Sequence, residues 1–442
     1  MPAATDKRTT LIVDVLIDAF EPLMAADPNG FRTKFRKMAA DPFAFYRGSA
    51  CLFYADMLPL PDRFADEKSS QVWIHGDLHA ENFGTYMNSE GILVFDVNDF
   101  DEAYLGHFSW DLRRFLASLA LMCWQKALPE QDIKRLSEVF LTSYIDQVRH
   151  YVDEPADEAF ALRLDNTQGL ILEVLTSARM GTRVGMLDSM TEVVDHERRF
   201  ALRSDVRELK KTERGKVERA FARYLDTIPE GKLARQDVFY DIKDVVGKRG
   251  FGIGSAGLLA YNVLIEGYNQ ALENDIVLTM KQGNIAAPSR IVDPMLVGDF
   301  FENEGHRTVV SQRALQVHSD PFLGHTTIDG VGFVVAELSP YESDLEWRDI
   351  TEPEQIEPVL ESLGRATAKI HCVSDEDSAE DLVDFQTERA IAAAIGDDEE
   401  AFIAELVQFG ISYAAQARDD HALFIEAFRS GKFDLVAATD PD

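Results

Sequence analysis

Apolar and polar residues follow helical periods through most of the first half of this chain and strand-like patterns in a short part of it. Residues 9–40 and 131–225 have the amphipathic pattern of helices, and residues 108–126 form an apolar run typical of a buried helix. Within residues 71–99, two short apolar runs flank the turn-forming residues 88–91, which predicts a β-hairpin. The first half is therefore predicted to be helical, with one small hairpin inserted.

The pattern changes near residue 237, where a Gly-rich segment precedes apolar runs of strand length. Strands are predicted within 257–267, 275–282 and 332–338, and a helix over 301–317. We therefore predict an α+β protein with three parts. They are a helical lobe with the hairpin at 1–235, a small β-rich lobe at 236–345, and a helical segment at 346–442 that packs back on the first lobe.

Composition narrows the class of protein. The 442 residues are 46% apolar, which suffices for a sizeable core and argues against a disordered chain. The formal net charge of −33 repels phosphate backbones and anionic lipids, so neither a nucleic acid nor a membrane is an expected partner. The three cysteines lack CxxC spacing, so the sequence supports neither a disulfide framework nor a zinc site. No secretory signal core is seen at the N-terminus. The apolar run at 115–124 is too short to span a bilayer. We expect a soluble cytoplasmic protein.

The first chemical motif is the sequence HGDLHAEN at residues 75–82, which leads into the hairpin. A second acidic cluster at residues 96–102 follows that hairpin, so the two loops should lie side by side. Phosphoryl transfer needs a carboxylate near the attacking hydroxyl and an oxygen cage that holds Mg²⁺ against nucleotide phosphates. Asp77 is predicted to be that carboxylate, and the alternative is an Asx-rich turn with solvated acids. The predicted metal ligands are Asn82 and Asp99, with Asp96 or Asp101 as a second-shell or alternate ligand.

The second motif is GIGSAG at residues 252–257, followed by a predicted strand, a turn and a strand that ends near Lys281. Glycines let a backbone approach phosphates closely, and a lysine on a following strand can bind them. A dinucleotide-binding fold would need a helix directly after the glycines, so the pattern favours a kinase-type loop. The predicted nucleotide-binding residues are Gly252, Gly254, Ser255, Gly257 and Lys281.

The order of the two motifs is unusual, because kinases have the Gly-rich loop before the catalytic loop. Here it follows by about 170 residues, which predicts a circularly permuted, bilobal kinase-like fold. The strand at 332–338 and a helix at 361–374 follow the Gly-rich unit in the order expected of a hinge strand and the helix preceding a catalytic loop. Only the HGD segment has moved to the front.

The chain resembles the bacterial domain of unknown function 2252 family, a kinase-like group with motifs similar to those of aminoglycoside and choline phosphotransferases. The resemblance implies a kinase-like fold with an ATP site, Asp77 as the base, and Arg47 within reach of the active site. It also implies that Asp111, in an aromatic-Asp-Leu motif, braces the catalytic loop, while His75 is expected to orient that loop. The stretches that carry the resemblance are 41–50, 72–84, 93–115, 252–257, 278–282, 305–324, 363–371 and 413–424.

Two departures from the kinase pattern concern Lys281. Gln282 stands where an acid is expected after the lysine, and no acid precedes Gln312-Arg313 on the predicted helix. Glu302 or Glu304 could replace the missing acid. Arg113 and Arg114 are predicted to be solvated or paired structural residues, and the basic stretch at 192–220 a solvated helix face, with a gripping surface for an acidic substrate as the alternative.

The expected function is ATP- and Mg²⁺-dependent phosphoryl transfer to a hydroxyl of a small molecule. Three alternatives stay open: a non-catalytic nucleotide-binding regulator, nucleotidyl transfer, and metal-dependent phosphate-ester hydrolysis at the H-x-D-x-H sequence of residues 75–79. The sequence identifies neither the acceptor nor the oligomeric state.

Overall fold

The computed structural model describes residues 2–154, 157, 160–229, 239–248, 256–316, 318–376, 378 and 382–434. These residues form a mixed α/β structure with 13 α-helices and several antiparallel sheets. The helices are α1 (Pro2–Ala26), α2 (Pro28–Met38), α3 (Pro42–Gly48), α4 (Ala50–Met57), α5 (Phe108–Gln125), α6 (Glu130–Asp153), α7 (Gly169–Ala178), α8 (Arg183–Met190), α9 (Lys211–Tyr224), α10 (Glu304–Gln316), α11 (Pro353–Cys372), α12 (Thr387–Ile395) and α13 (Glu399–Arg429). The strands are β1 (Val72–Ile74), β2 (Phe83–Met87), β3 (Leu93–Val97), β4 (Tyr104–Gly106), β5 (Leu162–Arg163), β6 (Thr191–Val194), β7 (Glu197–Phe200), β8 (Val206–Arg207), β9 (Ile242–Lys248), β10 (Ala260–Ile265), β11 (Ile276–Gln282), β12 (Gly324–Ile328) and β13 (Val331–Glu337).

The largest sheet is built from the second half of the chain. Its six strands have the order β12-β13-β11-β10-β9-β8, and the paired strands are antiparallel. Helix α10 packs against β13, and α9 packs against β12. The apolar core of this sheet includes Val217 and Phe221 of α9, so the compact unit begins before residue 236.

Helices from both ends of the chain form the other part of the molecule. Helix α11 packs along α6, α13 packs along α5, and α1 contacts α13. Helix α5 is buried along almost its whole length, as the apolar run at 108–126 predicts, and its buried residues also include Asp111, Arg113 and Arg114. Helix α2 begins at Pro28, and Asp27 caps it by accepting a hydrogen bond from the Gly30 amide at 2.9 Å. No helix of the described residues is long and apolar enough to cross a membrane.

Two small antiparallel ladders place the first motif. Strand β1 pairs with β4, with Val72 opposite Gly106, and β2 pairs with β3, with Phe83 opposite Val97. The segments 75–82 and 98–103 both run from one ladder to the other, so they lie beside each other. The predicted hairpin is present, with its turn between Met87 and Leu93.

The helical prediction for residues 192–220 is wrong for its first part. Strands β6 and β7 form a hairpin there, with Thr191 opposite Phe200. The turn residues Asp195 and His196 have φ values of 53° and 70°, which the short hairpin turn requires. The β-branched residues before the turn favour a strand, and the surrounding charges hid this pattern.

Candidate functional site

The loop that carries the HGD motif is held tightly against the acidic segment. Gly76 has φ = 79°, and a Cβ atom there would lie 2.0 Å from the carbonyl oxygen of Glu102. Only glycine permits this approach. The amide of Asn98 also donates to the carbonyl of Asn82 at 3.1 Å, which joins the two segments directly.

Asp77 lies at the centre of the site with a buried cation beside it. The Nε of Arg114 donates to Asp77 Oδ1 at 2.6 Å, and His79 Nε2 lies 3.9 Å from Asp77 Oδ2. Burial raises the pKa of Asp77, while the charge of Arg114 acts in the opposite direction. Burial together with the charge of Arg47 holds the pKa of His79 well below its ordinary value, so His79 is neutral at pH 7. The pair Asp77–Arg114 therefore positions a carboxylate at the surface of a cavity.

Asn82 contacts the backbone of Asp77, and Asp99 lines the same cavity as the Asp77 side chain. Asn82 Nδ2 donates to the carbonyl of Asp77 at 2.9 Å, an arrangement in which the side-chain oxygen is not the group used. Asp99 has φ = 60°, a left-handed conformation that is costly for a residue other than glycine. Such strain persists only where the surrounding structure imposes it, and it occurs often at functional sites.

A cavity of about 50 Å³ lies between the two loops, with Asp77 and Asp99 both in its wall. Four carboxylate residues contribute to its wall: Asp77, Asp99, Asp101 and Glu102. Burial, followed by the charge of Asp99, raises the pKa of Asp101 to about 6. Burial raises the pKa of Glu102 to about 8, although the amide of Ala287 donates to it. A protein that crowds carboxylates in this way favours the binding of a cation or a proton.

Asp111 of α5 fixes the start of the HGD loop by binding its backbone amides. Its carboxylate accepts hydrogen bonds from the amides of His75 at 2.6 Å and Gly76 at 2.9 Å. His371 of α11 lies 3.2 Å from the same carboxylate, and Tyr144 contacts the other side of that imidazole. The imidazole of His75 is fully buried, and its Nε2 lies 2.7 Å from the carbonyl of Asn98. Both residues therefore act on the loop's position.

Asp96 faces a different cavity. Its carboxylate forms an ion pair with Lys369 Nζ at 2.5 Å, and both side chains are buried. The two residues line a cavity of about 300 Å³ that shares no lining residue with the first. Asp96 therefore has a cation of the chain beside it and is separated from the cavity that Asp77 and Asp99 line.

Arg47, near the end of α3, lines the same cavity as Asp77 and Asp99. Its Nε donates to His79 Nε2 at 3.2 Å, and its guanidinium forms an ion pair with Glu81. Arg47 thus connects the HGD loop to the N-terminal helices.

Part of the Gly-rich motif can be placed. Gly252, Gly254 and Ser255 lie outside the described residues. Gly257 has φ = 80°, and a Cβ atom there would lie 2.9 Å from the ring of Phe31 in α2. The end of the Gly-rich motif therefore packs on the helix that also contributes Lys34 to the cavity.

Lys281 lies near the end of β11 and is exposed. Its charge lowers the pKa of Asp101 and of Glu342, so it lies on the side of the sheet nearest the acidic segment. Within the described part of the chain, no acid lies within 4.0 Å of it. Glu304 instead forms an ion pair with Arg307 at 2.7 Å, and Gln282 Oε1 accepts a hydrogen bond from the Leu259 amide at 3.1 Å.

The sequence did not predict the part that three residues, all with cationic side chains, play in the site. Arg114 pairs with Asp77, Arg307 donates to the carbonyls of Ala103 and Asp101, and Lys34 lines the cavity. A signal for Lys34 existed, because Phe31, Lys34, Phe35 and Met38 form one buried stripe at helical spacing. A lysine within an apolar stripe is unusual, and this position alone could have marked Lys34 as a candidate site residue.

The side chains of the cavity could supply only some of the oxygen ligands that a hard cation such as Mg²⁺ needs. In the residues that the structure describes, no three or more His, Cys, Asp or Glu side chains form a group that could hold a metal ion. Mg²⁺ is commonly bound by one or two carboxylates together with phosphate oxygens and water. The Asp99 carboxylate lines the cavity, whereas the Asn82 amide is bonded to the backbone of Asp77 and is not among the lining residues of the cavity.

Comparison with known proteins gave one match. The model of a family described as an uncharacterized protein conserved in bacteria (DUF2252) matches residues 26–427. No curated protein and no solved structure matched the chain.

Proposed function

The chain belongs to the bacterial DUF2252 family, and we propose that it is an ATP- and Mg²⁺-dependent phosphotransferase that acts on a hydroxyl of a small molecule. One observation carries the proposal: Asp77 and Asp99, from two separate loops, line the same cavity. A carboxylate for the acceptor and a carboxylate for the metal are the two protein groups that phosphoryl transfer requires side by side.

Each residue has a role in this proposal. Asp77 orients the acceptor hydroxyl and accepts its proton, and Arg114 keeps the carboxylate in place. Asn82 and Asp99 hold Mg²⁺, which when bound would neutralise charge on the nucleotide phosphates. Asp111 keeps the backbone of the HGD loop in register through two hydrogen bonds.

The order of elements in the large sheet supports a permuted kinase-like fold. Strand β9 precedes the Gly-rich motif, β10 follows it, β11 carries Lys281, and α10 comes next. Protein kinases have their phosphate-binding lysine on the third such strand and an acidic residue on the next helix. We propose that the nucleotide binds between this sheet and the Asp77–Asp99 loops.

A second candidate, a non-catalytic nucleotide-binding regulator, is favoured by two contacts. Lys281 lacks an acidic partner among the described residues, and Glu304 of α10 is already paired with Arg307. The base Asp77 also has Arg114 on its carboxylate, which makes it a weaker proton acceptor. Under this hypothesis the chain binds ATP and does not consume it.

Nucleotide binding and turnover, measured separately, test the proposal. We expect ATP to bind more tightly with Mg²⁺ than without it, and the Mg²⁺-dependent gain to be lost in Asp99→Asn. We also expect slow release of phosphate from ATP, with water as acceptor, that falls about 10²- to 10⁴-fold in Asp77→Asn because the general base is removed. Calorimetry and radiolabelled ATP provide the two measurements.

The outcomes separate the alternatives. Mg²⁺-dependent binding without turnover in the wild-type chain favours the regulator. Release of pyrophosphate with AMP on the product indicates nucleotidyl transfer, and hydrolysis of phosphate esters without nucleotide indicates a phosphohydrolase. Absence of ATP binding contradicts all three hypotheses that need a nucleotide: phosphotransferase, regulator and nucleotidyl transferase.

A further inference from the structure

Lys34 is a buried lysine in the wall of the candidate site, and its ammonium has no anionic partner. The residue is 4% exposed, and its Nζ lies 3.9 Å from the centroid of the Phe20 ring. In the part of the chain that the structure describes, no carboxylate lies within 4.0 Å of it. Buried ammonium groups are costly unless they are paired, so its presence requires a partner from elsewhere.

The other cations of this cavity are already paired. Arg47 forms an ion pair with Glu81, and Arg290 lies 3.2 Å from Asp18. Among the described residues, Lys34 is therefore the one cation in the cavity wall that is available to a ligand.

The carboxylates of the cavity do not neutralise Lys34 either. Asp77 is paired with Arg114, and Glu102 accepts hydrogen bonds from the Ala287 amide and from Asn284 Nδ2. Their charges reach Lys34 only over longer distances. The site thus has one acidic side, toward Asp99 and Asp101, and one unpaired cation.

The size of the cavity limits what it can take. About 50 Å³ accommodates a few water molecules or one small charged group, since one water needs roughly 10–15 Å³. Whole small-molecule ligands commonly need cavities of about 300 Å³ or more. The part of the cavity that is enclosed therefore suits one charged group of a ligand, such as the charged end of a second substrate, rather than a whole ligand.

We propose that Lys34 binds an anionic group, a carboxylate or a phosphate, of the acceptor whose hydroxyl lies at Asp77. The proposal rests on the phosphotransferase function above and adds the class of acceptor, a small hydroxylated acid or phosphate ester. The Lys34 ammonium lies over the Phe20 ring, and Phe20 of α1 and Lys34 of α2 line the part of the cavity that would take the anionic end of the substrate.

The test measures anion binding without any nucleotide, so that its outcome is independent of ATP binding. Inorganic phosphate and acetate are titrated into the wild-type chain, Lys34→Met and Lys211→Met, an exposed-lysine control. We expect Lys34→Met to weaken the preferred anion about tenfold or more, since a charge-assisted hydrogen bond is lost. Lys211→Met should bind as the wild type does. Preference for phosphate or for acetate distinguishes phosphate esters from carboxylic acids as acceptors.

A second measurement on the wild-type chain avoids any question of folding. Lysines are acetylated with acetic anhydride, with and without phosphate or acetate, and the modified peptides are quantified by mass spectrometry. We expect the anion to protect Lys34 and not Lys211. Equal labelling of Lys34 with and without both anions, or equal anion affinity of the wild type and Lys34→Met, overturns the proposal. If the anion result holds but ATP does not bind, the anion site stands and the phosphotransferase function fails.

Discussion

Two buried lysines, Lys34 and Lys369, line two separate cavities, and their partners differ. Lys369 forms an ion pair with Asp96 at 2.5 Å and donates to the carbonyl of Leu315 at 2.7 Å. Lys34 has an aromatic ring beneath it and no anion within 4.0 Å among the described residues. The lysine of the larger cavity is thus paired within the chain, whereas the lysine of the smaller cavity has no anionic partner among the described residues.

The largest effect on stability is expected at Lys369, the lysine that has a carboxylate partner. Lys369→Met leaves the buried carboxylate of Asp96 without its cation, and we expect it to lower the free energy of unfolding by about 3–5 kcal/mol. Urea unfolding followed by circular dichroism measures this. The double variant Lys369→Met with Asp96→Asn should recover part of the loss, and no recovery would contradict the pairing.

A smaller effect of the opposite sign is expected at Lys34. Burial lowers the pKa of Lys34 from 10.5 to about 8, which disfavours the charged form in the folded chain by about 3 kcal/mol. Lys34→Met removes this cost and also the contact with the Phe20 ring. We expect the variant to be more stable by about 1–2 kcal/mol at pH 7.

The pH dependence sharpens this contrast. Between pH 8 and 10.5 the unfolded chain keeps the Lys34 proton and the folded chain releases it, so the contribution of Lys34 to the free energy of unfolding rises through this range. The advantage of Lys34→Met should therefore shrink as the pH increases from 8. Glu102, whose pKa is about 8, titrates in both proteins, so its effect largely cancels in the difference. A difference independent of pH would contradict the unpaired charge.

The smallest effect is expected within the larger cavity. Tyr86 lines it, and Tyr86→Phe should change the rate of ATP consumption less than about twofold, because the reaction is assigned to the other cavity. A loss comparable to that of Asp77→Asn would move the chemistry to the larger cavity.

Much of the site's framework could be predicted from local patterns. The hairpin at Phe83–Val97 and the buried helix at Phe108–Gln125 follow from apolar spacing and a turn, so the two loops were expected to be neighbours. Partners across the fold could not be predicted in this way. Arg114 meets Asp77, and Lys369 meets Asp96, only because distant elements pack together.

Asp96 and Asp99 illustrate this limit. Both belong to one acidic cluster, and the sequence predicts Asp99 as a metal ligand and Asp96 as a second-shell or alternate ligand without a pattern that separates them. The alternation of side chains along β3 turns Asp96 toward α11, whereas the left-handed residue Asp99 lies after the strand and turns toward the HGD loop. The outcome depends on where one strand ends, which local patterns determine poorly.

The most direct test of the central claim is a crystal structure with Mg²⁺ and a non-hydrolysable ATP analogue. We predict that Mg²⁺ lies about 2.1 Å from an Asp99 carboxylate oxygen and from the Asn82 amide oxygen. The phosphates should lie between Lys281 and Asp77. An analogue bound away from both the β9–β13 sheet and Asp99 would contradict the account.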